Sequence, residues 1–546
     1  MPLRIAMIGA GSIGFTRRLI QDVLGVPELQ DTVFALTDLS QQNLDMVTAL
    51  CRRDIEFNKL PARVEATTDR RAAIAGADYI ICTIREGGLE AFATDVDIPL
   101  KYGVDQCVGD TICAGGIMYA QRTIQALLGF CKDIRELAKP GALFLNYANP
   151  MAMNTIACNL PVHLGGGGVP TVGLCHGVQG AHWQVTHAVE TYLKSTGRLP
   201  KNYASQGGEC KQHWATKELG IPLGMHRREL DVVFSGINHQ TWLVKATYQG
   251  EDMLPVIREW MPKVPGFARS EKVRLDVLKR FGHYSTESNG HLSEYLPWYR
   301  KRTEEINKWI DLSSWINGET GGYLRVCTEG RNWFETDYPN WLKQEPPTIG
   351  PKNRSEEHGS WIIESLETGR VYRGHFNVIN RGHIPNLPDG CCIEIPGYVD
   401  ASGMNMTHVG DLPLACAATC SASVWVQTMA MLAALTGDVE LLKQAMLHDP
   451  LVAAVCDPEE IWQMTDEMLV AQAKWLPQYS ASIPAARERL AAAERDGTRV
   501  KLRNTRGAAR LETQTVQQMQ DKATESRANA QAADKGNMTK APAAVK

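Results

Sequence analysis

The chain has 546 residues, a formal net charge of −4, and 44% hydrophobic and 22% charged residues. A chain of this length is too long for a single hydrophobic core, which predicts at least two domains. The composition is ordinary for a globular protein. No apolar run approaches the roughly eighteen uninterrupted residues of a membrane-spanning helix, and no signal peptide is expected because Met1 to Arg4 lead directly into a strand. The net charge argues against nucleic acid as the main partner, and fourteen scattered cysteines favour a reducing cytoplasm.

The first elements predict a dinucleotide-binding start. The strand Ile5–Ile8 runs into Gly9-x-Gly11-x-x-Gly14, a helix follows over 16–26, and a second strand over 32–37 ends in Asp38. In such a loop the first glycine makes the turn, the second admits a pyrophosphate at the helix N-terminus, and the third lets helix pack on strand. A carboxylate at Asp38 favours NAD because it repels a 2′-phosphate; the alternative is an ordinary glycine turn beside a surface Asp. The predicted cofactor contacts are Gly9, Gly11, Ser12, Ile13, Gly14 and Asp38.

Strands and helices then alternate in a doubly wound order. The pattern predicts a helix over 41–58, strands over 64–66 and 77–83, a helix over 117–138 and a strand over 142–146. The segment 108–116 has too many glycines and polar groups for a core element. Asn149 follows the strand over 142–146, and its amide either holds a substrate hydroxyl or closes an Asx turn before Pro150.

A cysteine and two histidines at strand exits are the central candidates for chemistry. Cys175 and His176 follow the apolar run that begins at Val172, and His239 ends the run that begins at Val232. Open α/β sheets bind ligands at the carboxyl ends of their strands, so these groups indicate a metal beside a dinucleotide. The alternative is a buried structural cysteine with an incidental histidine.

The segment 281–295 concentrates titratable groups more densely than a surface loop usually does, although a polar helix face could do the same. Its members are His283, Tyr284, Glu287, His291, Glu294 and Tyr295. Residues 311–350 form an insertion without a predictable pattern. Beyond it the sequence predicts a helix over 355–367, strands over 371–380 and 391–399, and helices over 412–436 and 439–479. The globular part is therefore expected to end near Tyr479.

The tail after residue 480 differs in charge from the rest of the chain. Residues 481–546 carry 13 Lys and Arg against 7 Asp and Glu, a net +6, whereas residues 1–480 carry a net −10. The tail has no Phe, Tyr or Trp, so it cannot form a core of its own. We expect a helical or disordered extension that is dispensable for catalysis and could dock on the acidic body.

Several motifs occur in a fixed order along residues 3–480. They include Gly9-Ala-Gly-Ser12, Gly109-Asp-Thr111, Asn146-Tyr-Ala-Asn-Pro150, Gly173-Leu-Cys-His-Gly-Val-Gln-Gly180, Gly236-Ile-Asn-His239, Thr286-Glu-Ser288 and Glu294-Tyr-Leu-Pro-Trp298. Together they resemble family 4 of the glycoside hydrolases, most closely its α-galactosidase (melibiase) branch.

The resemblance implies a fold and an organisation. It implies a Rossmann-type doubly wound NAD-binding domain at 1–200 and a catalytic and oligomerisation domain at 201–480 with the α+β fold of lactate and malate dehydrogenases. The tail at 481–546 has no counterpart in the family. The resemblance also implies a homo-oligomer, dimeric or tetrameric, that acts on a small sugar. Neither nucleic acid nor membrane is expected as a partner, given the net charge and the absence of a membrane-spanning run.

The resemblance further implies an NAD-dependent glycosidase. NAD would oxidise the sugar at C3, a base would remove the C2 proton, the aglycone would be eliminated and water would add. Mn²⁺ or another divalent metal is implied at Cys175 and His239, although thiolate with imidazole would by itself suit zinc. His176 would protonate the leaving group or contact the substrate, and Tyr284 and Glu287 are equal candidates for the C2 base. The implied sugar contacts are Asn149, Asp110, Asn154 and His283.

Departures from the family's motifs indicate the substrate. Neither Cys-Asn-Val-Pro nor Cys-Asp-Met-Pro is present, so the sugar is expected to be unphosphorylated. Melibiases resembling this chain read Cys-His-Ser, whereas Cys175-His-Gly177 is similar to the uronide-cleaving branch. We therefore expect an α-galactoside first and an α-glucuronide or α-galacturonide second. An NAD-dependent dehydrogenase of a hydroxy acid or polyol is the alternative of another class, and a non-enzymatic NAD-binding regulator is a third.

Overall fold

The computed structural model describes residues 2–205, 216, 219, 222–313, 317–503 and 506–522. Within these residues the strands are β1 (Arg4–Ile8), β2 (Val33–Thr37), β3 (Arg63–Thr67), β4 (Tyr79–Cys82), β5 (Leu143–Asn146), β6 (Thr171–Gly173), β7 (Asp231–Ile237), β8 (Gln240–Tyr248), β9 (Glu251–Asp252), β10 (Tyr372–Ile379), β11 (Cys392–Asp400) and β12 (Gly403–Met406).

The helices cover the sheet and extend beyond it. They are α1 (Ile13–Leu24), α2 (Gln41–Phe57), α3 (Arg70–Ile74), α4 (Gly88–Lys101), α5 (Cys113–Leu137), α6 (Met151–Asn159), α7 (Gly177–Ser195), α8 (Leu254–Trp260), α9 (Pro265–Ser270), α10 (Lys272–Phe281), α11 (Asn289–Glu294), α12 (Thr303–Trp309), α13 (Gly322–Trp341), α14 (His358–Thr368), α15 (Leu414–Thr436), α16 (Val439–His448), α17 (Pro450–Val455), α18 (Pro458–Ala471) and α19 (Ile483–Arg495).

The N-terminal half of the sheet is parallel, in the order β3-β2-β1-β4-β5-β6. This is the strand order of a doubly wound dinucleotide-binding fold, so the predicted Rossmann-type architecture is confirmed. The apolar runs of β1 and β4 are buried on both sheet faces, and alternate β1 residues contribute to two separate hydrophobic clusters. Continuous apolar strands have this burial because helices cover both sides of a parallel sheet.

The sheet continues into an antiparallel half. Strand β6 pairs with β10 at Gly173 and Asn377, and the order then runs β10-β11-β7-β8-β9, with β12 beside β11. The β7–β8 hairpin turns through His239, whose φ is 63°. Strands β10 and β11 separate β6 from β7 in the sheet, and Cys175 and His239, which follow β6 and β7, come within 4.8 Å of each other. The division of the chain at residue 200 stays a prediction.

Helix α13 differs from what the sequence predicts, whereas α15 matches the helix expected over 412–436. Helix α13 occupies twenty residues of the segment expected to have no regular pattern. Its glycines, aromatic residues and internal Pro339 all have low helix propensity, so tertiary contacts determine this helix. Helix α15 is long and apolar enough to cross a membrane by length and composition, but half of its most apolar window is buried inside the protein.

The C-terminal segment corrects the expectation that the globular part ends near Tyr479. Ile483 belongs to the largest hydrophobic core, and Arg489 in α19 forms a bidentate ion pair with the buried Asp466 of α18. Beyond α19 the chain continues over the body, and Ala509 and Met519 are buried against it. The segment lacks large apolar side chains for a core of its own, but basic and small residues suffice to pack on an existing one. Residues 523–546 lie outside the described residues.

Candidate active site

The glycine loop after β1 fits a dinucleotide. Gly9 has φ +83°, and a Cβ there would lie 2.9 Å from the amide nitrogen of Ile84, so only glycine fits. The Asp38 carboxylate accepts hydrogen bonds from the amides of Gly11 and Ser40, both at 2.8 Å, which fixes it at the end of β2. Helix α1 begins at Ile13 with Ser12 as its N-cap, and neither a side-chain cap nor an acidic residue occupies its first turn. The helix N-terminus can therefore accept an anion.

Gly14 does not have the packing role that the motif suggests. A Cβ at this position would meet no atom within 4 Å, and the residue is exposed. The third glycine of the loop is thus not required for contact between α1 and β1 in this chain. The helix packs on the sheet through residues further along, among them Leu19 and Val23.

Three groups with different ligand chemistry converge where β6 and β7 end. Cys175 Sγ and His239 Nε2 lie 3.7 and 3.8 Å from the same Oε1 atom of Glu287. The three ligand atoms are all within 4.8 Å of one another. A thiolate, an imidazole and a carboxylate at this separation can hold one divalent cation. The Thr111 hydroxyl lies 2.7 Å from His239 Nδ1, so it orients the ring with Nε2 towards the cluster, as outer-shell partners of metal ligands do.

The electrostatics of this cluster suit a metal ion. Burial favours the neutral forms, and it raises the pKa of the Cys175 thiol well above its usual range and lowers the pKa of His239 to about 4. Burial would also raise the pKa of Glu287, but His239, His291 and His176 outweigh it and lower that pKa to about 2. At neutral pH the cluster therefore contains a neutral imidazole, an anionic carboxylate and a thiol that a metal would deprotonate.

A second set of groups adjoins the cluster through His239. Asp110, His239 and His291 also place their ligand atoms within 4.8 Å of one another. Asn149 donates a 2.9 Å hydrogen bond to Asp110, and Arg85 lies 3.7 Å from the same carboxylate. Burial acts to raise the pKa of Asp110, but the neighbouring His291, Arg85 and His239 hold it below its ordinary value. Asn149 and Asp110, both predicted sugar contacts, thus lie together beside the cluster.

His176 faces the opening of the site. It is the N-cap of α7, its side chain is 65% exposed, and Nδ1 lies 3.4 Å from Oε1 of Glu357. The adjacent Cys175 carbonyl contacts Nε2 of the buried His358 at 3.1 Å, which fixes the turn from behind. The imidazole of His176 is therefore accessible from solvent, although the backbone of His176 directly follows the cluster residue Cys175.

The placement of Tyr284 corrects its prediction as a base. Its ring is fully buried in a hydrophobic cluster with α7 and α10, Arg274 lies 4.2 Å above the ring, and the hydroxyl donates to Gln184 at 3.0 Å. A phenol whose hydroxyl is bound in that core cannot face a sugar beside Cys175. The neighbouring His283 is bound through Nδ1 to the Leu243 carbonyl at 2.9 Å and is not brought to the cluster.

Asn154 supports the site from below. It is fully buried in α6, and its amide donates to the Ala148 carbonyl at 2.9 Å. This bond holds the turn that carries Asn149, so the predicted sugar contact at Asn154 is replaced by a supporting role.

Several residues near the cluster have no role that the sequence predicts. Arg85 lies outside the motifs, and the motif Gly109-Asp-Thr111 does not by itself indicate that Thr111 contacts His239. His291 and Tyr295 follow Glu287 at successive four-residue intervals; His291 lies in α11 and Tyr295 is its C-cap, and the Tyr295 hydroxyl is hydrogen-bonded to His291 Nδ1. That spacing is a helical signal that could have been read in advance.

Glu394 lies in the central strand β11, behind the cluster. Thr241 donates to it at 2.6 Å and Asn377 at 3.2 Å, and burial raises its pKa to about 7. Glu394 is also one of the charges that raise the pKa of Cys175. Nothing in the alternation of β11 distinguishes this glutamate from a surface one.

The fold and the cluster together define a dinucleotide-fold protein with a metal-competent site between its two halves. Comparison with known proteins narrows this class. Residues 4–191 match the family 4 glycosyl hydrolases, and residues 234–452 match the family 4 glycosyl hydrolase C-terminal domain. The α-galactosidase of Rhizobium meliloti (strain 1021) is 56% identical over 520 residues, which cover 94% of this chain and 96% of that protein.

A second α-galactosidase, from Bacillus subtilis (strain 168), is 30% identical over 481 residues, covering 87% of this chain and 99% of that protein. The structure of the 6-phospho-β-glucosidase from Thermotoga maritima with manganese, NAD⁺ and glucose-6-phosphate has a TM-score of 0.64 at 19% identity, covering 87% and 99% of the two chains. The chain belongs to family 4 of the glycoside hydrolases.

Proposed function

We propose that this protein hydrolyses unphosphorylated α-galactosides with the help of NAD and a divalent metal, for which Mn²⁺ is the first candidate. The observation that carries the proposal is the Cys175, His239 and Glu287 cluster at the strand exits beyond a dinucleotide loop. The family 4 match and the 56% identity to an α-galactosidase support the substrate class.

The chemistry of the site residues indicates which of them would hold NAD and which would hold the metal. The Gly9–Gly11 loop, the N-terminus of α1 and Asp38 would hold NAD, and Cys175, His239 and Glu287 would hold the metal. When bound, NAD supplies a reversible hydride acceptor for C3 of the sugar, and the metal supplies a Lewis acid for the neighbouring sugar oxygens. Glu287 is assigned to the metal because a carboxyl with a pKa of about 2 is a weak general base.

The chain's own side chains would then bind the sugar and move protons. Asn149 and Asp110 offer an amide and a carboxylate to the sugar hydroxyls beside the cluster. The hydrogen-bonded pair of His291 and Tyr295 is an acid–base group next to His239, and we assign the proton transfer at C2 to it. His176, which is exposed and close to Glu357, would protonate the departing aglycone.

The charges favour a neutral sugar over a uronide. A uronate carboxylate needs a cationic partner, and Arg85 is already engaged by Asp110 at 3.7 Å. Both curated relatives described above are α-galactosidases. We therefore rank a galactoside before a uronide, and a glycosidase before a dehydrogenase of hydroxy acids or polyols.

A homo-oligomer in the cytoplasm is part of the proposal. Helix α15 has no charged residue, and Leu414, Trp425 and Leu432 are 85%, 55% and 38% exposed along its outer side. Apolar residues without charges are typical of the core of a subunit interface, so we place a contact with a second copy there. The thirteen described cysteines are all unbridged, which supports a reducing compartment.

The test is hydrolysis of p-nitrophenyl α-galactoside and of the matching α-galacturonide, with NAD⁺, Mn²⁺ and a thiol reductant omitted in turn. We expect cleavage of the galactoside that requires both NAD⁺ and metal, without net formation of NADH. Faster cleavage of the galacturonide would move the protein to the uronide branch. Accumulation of NADH with a polyol or hydroxy acid, and no glycoside cleavage, would support the dehydrogenase.

A further inference from the structure

The basic segment after α19 is docked on the body by specific contacts. We call residues 499–503 and 506–510 the C-terminal strap. The Arg503 amide donates to the Lys101 carbonyl at 2.7 Å, and its guanidinium pairs with Glu460. Arg499 forms a 2.7 Å ion pair with Glu467. Two of these contacts pair a basic strap residue with an acidic residue of the body, and the third is a backbone hydrogen bond. The opposite charges of the strap and the body therefore meet in a specific interface.

The far end of the strap meets a buried carboxylate. Asp105 is 3% exposed, and the Ala508 amide donates to its Oδ2 atom at 2.9 Å. Arg300 and the Thr320 hydroxyl donate to Oδ1 at 2.7 and 2.8 Å. Thr320 also exchanges hydrogen bonds with Ala509, accepting from its amide at 3.3 Å and donating its own amide to the carbonyl at 3.2 Å. The strap thus supplies one of the donors that satisfy the Asp105 carboxylate.

Asp105 begins the loop that carries two residues of the site. Five residues later Asp110 contacts Asn149 and Arg85, and Thr111 orients His239. Gln106, which follows Asp105 in the loop, accepts a 2.8 Å hydrogen bond at its carbonyl from the amide of Gly321. Gly321 is the residue after Thr320. Glu294 accepts from the amides at the centre of the loop, including Val108 at 2.7 Å. The loop has no regular secondary structure, so its conformation is held by these hydrogen bonds to side chains and, through Asp105, by the strap.

We propose that the C-terminal strap is a positioning element of the active site. It holds Asp105, and through the loop 105–111 it sets the place of Asp110 and Thr111 and hence the metal affinity of His239. The part that concerns metal affinity rests on the proposed function, whereas the ordering of the loop does not. This inference replaces the expectation that the whole tail is dispensable.

The close approach of the strap makes it sensitive to small changes. Gly507 has φ +79°, and a Cβ there would contact the Thr320 side chain more closely than real Cβ atoms do. Gly507→Ala should therefore move the strap away from Thr320. Ala508→Pro acts on the same place differently, because proline lacks the N–H that Asp105 accepts.

The experiment compares these two variants with two controls in the full-length chain. Ala508→Gly keeps the N–H, and Arg510→Gln alters only the exposed ion pair with Asp97 on the same strap. Hydrogen exchange of the amides of residues 106–111 is measured in the metal-free protein, and the Mn²⁺ dissociation constant is measured by titration. Two variants with different mechanisms are used so that a folding failure of one leaves the other.

We expect faster exchange in the loop and about tenfold weaker Mn²⁺ binding for Ala508→Pro and Gly507→Ala, with both controls at wild-type values. Unchanged exchange and unchanged Mn²⁺ affinity in the two variants would overturn the proposal. Faster exchange in a protein that binds no Mn²⁺ at all would keep the positioning role and refute the proposed metal site instead.

Discussion

The turn from Cys175 into α7 passes so close to Glu287 that a side chain at Gly177 should damage the metal site. A Cβ on Gly177 would approach Glu287 Oε1 within the 3.0 Å limit that real Cβ atoms respect, and would lie 3.6 Å from Cys175 Sγ. The displaced atom is the one that faces both Cys175 and His239. In Gly177→Ala the carboxylate must move away by about 1 Å, a shift that can cost about 10²-fold when it misplaces a reacting group.

We expect the Mn²⁺ dissociation constant of Gly177→Ala to rise about 10- to 100-fold, equivalent to about 1.4–2.7 kcal/mol. The assay is titration of the metal-free protein with Mn²⁺, followed by the rate of galactoside cleavage at saturating metal. Gly180→Ala is the matched control in the same helix, because a Cβ at Gly180 meets nothing within 4 Å. This control should bind Mn²⁺ normally and gain about 0.5–1 kcal/mol of stability. Wild-type metal affinity in Gly177→Ala would refute the assignment of Glu287 to the cluster.

Three further predictions concern the same site. Burial, together with Glu287 and Glu394, raises the pKa of the Cys175 thiol, so a metal that binds there must displace the thiol proton. The Mn²⁺ affinity, measured by titration, should therefore rise about tenfold per pH unit between about pH 6 and 8. An affinity that does not change with pH would contradict a thiolate ligand. Thr111→Val should weaken Mn²⁺ binding about tenfold while Thr111→Ser retains it, and equal affinities would show that the hydroxyl does not orient His239. His176→Ala should slow cleavage of alkyl galactosides about 10²-fold and cleavage of p-nitrophenyl galactoside much less, since only the alkoxide leaving group needs protonation. Equal losses in the two rates would show that His176 is not the acid.

The sequence predicted the fold well where local pattern determines structure. The apolar runs of β1 and β4 and the glycine loop between β1 and α1 have one stable arrangement, and the apolar runs before Cys175 and His239 predicted their positions at the exits of β6 and β7. Helix α13 was not predictable because its glycines and aromatic residues are held by tertiary contacts rather than by propensity.

The candidate site was predictable only in part because its members come from distant segments. Glu287 was named among the titratable residues of 281–295, but the direction of its side chain depends on how α11 packs. The same packing buries Tyr284 against α7, although Tyr284 is only three residues from Glu287. The docking of the C-terminal strap was equally hidden, since composition shows its charge but not that Ala508 reaches Asp105.

Cleavage by elimination requires loss of the C2 proton, and analysis of a single product can detect that loss. An α-galactoside is hydrolysed in D₂O with NAD⁺ and Mn²⁺, and the released galactose is examined by NMR for deuterium at C2. We expect deuterium at C2, because the proton removed there is replaced from solvent when water adds to the unsaturated sugar. Galactose that keeps its hydrogen at C2 throughout would rule out elimination, since direct displacement at C1 leaves that position unchanged.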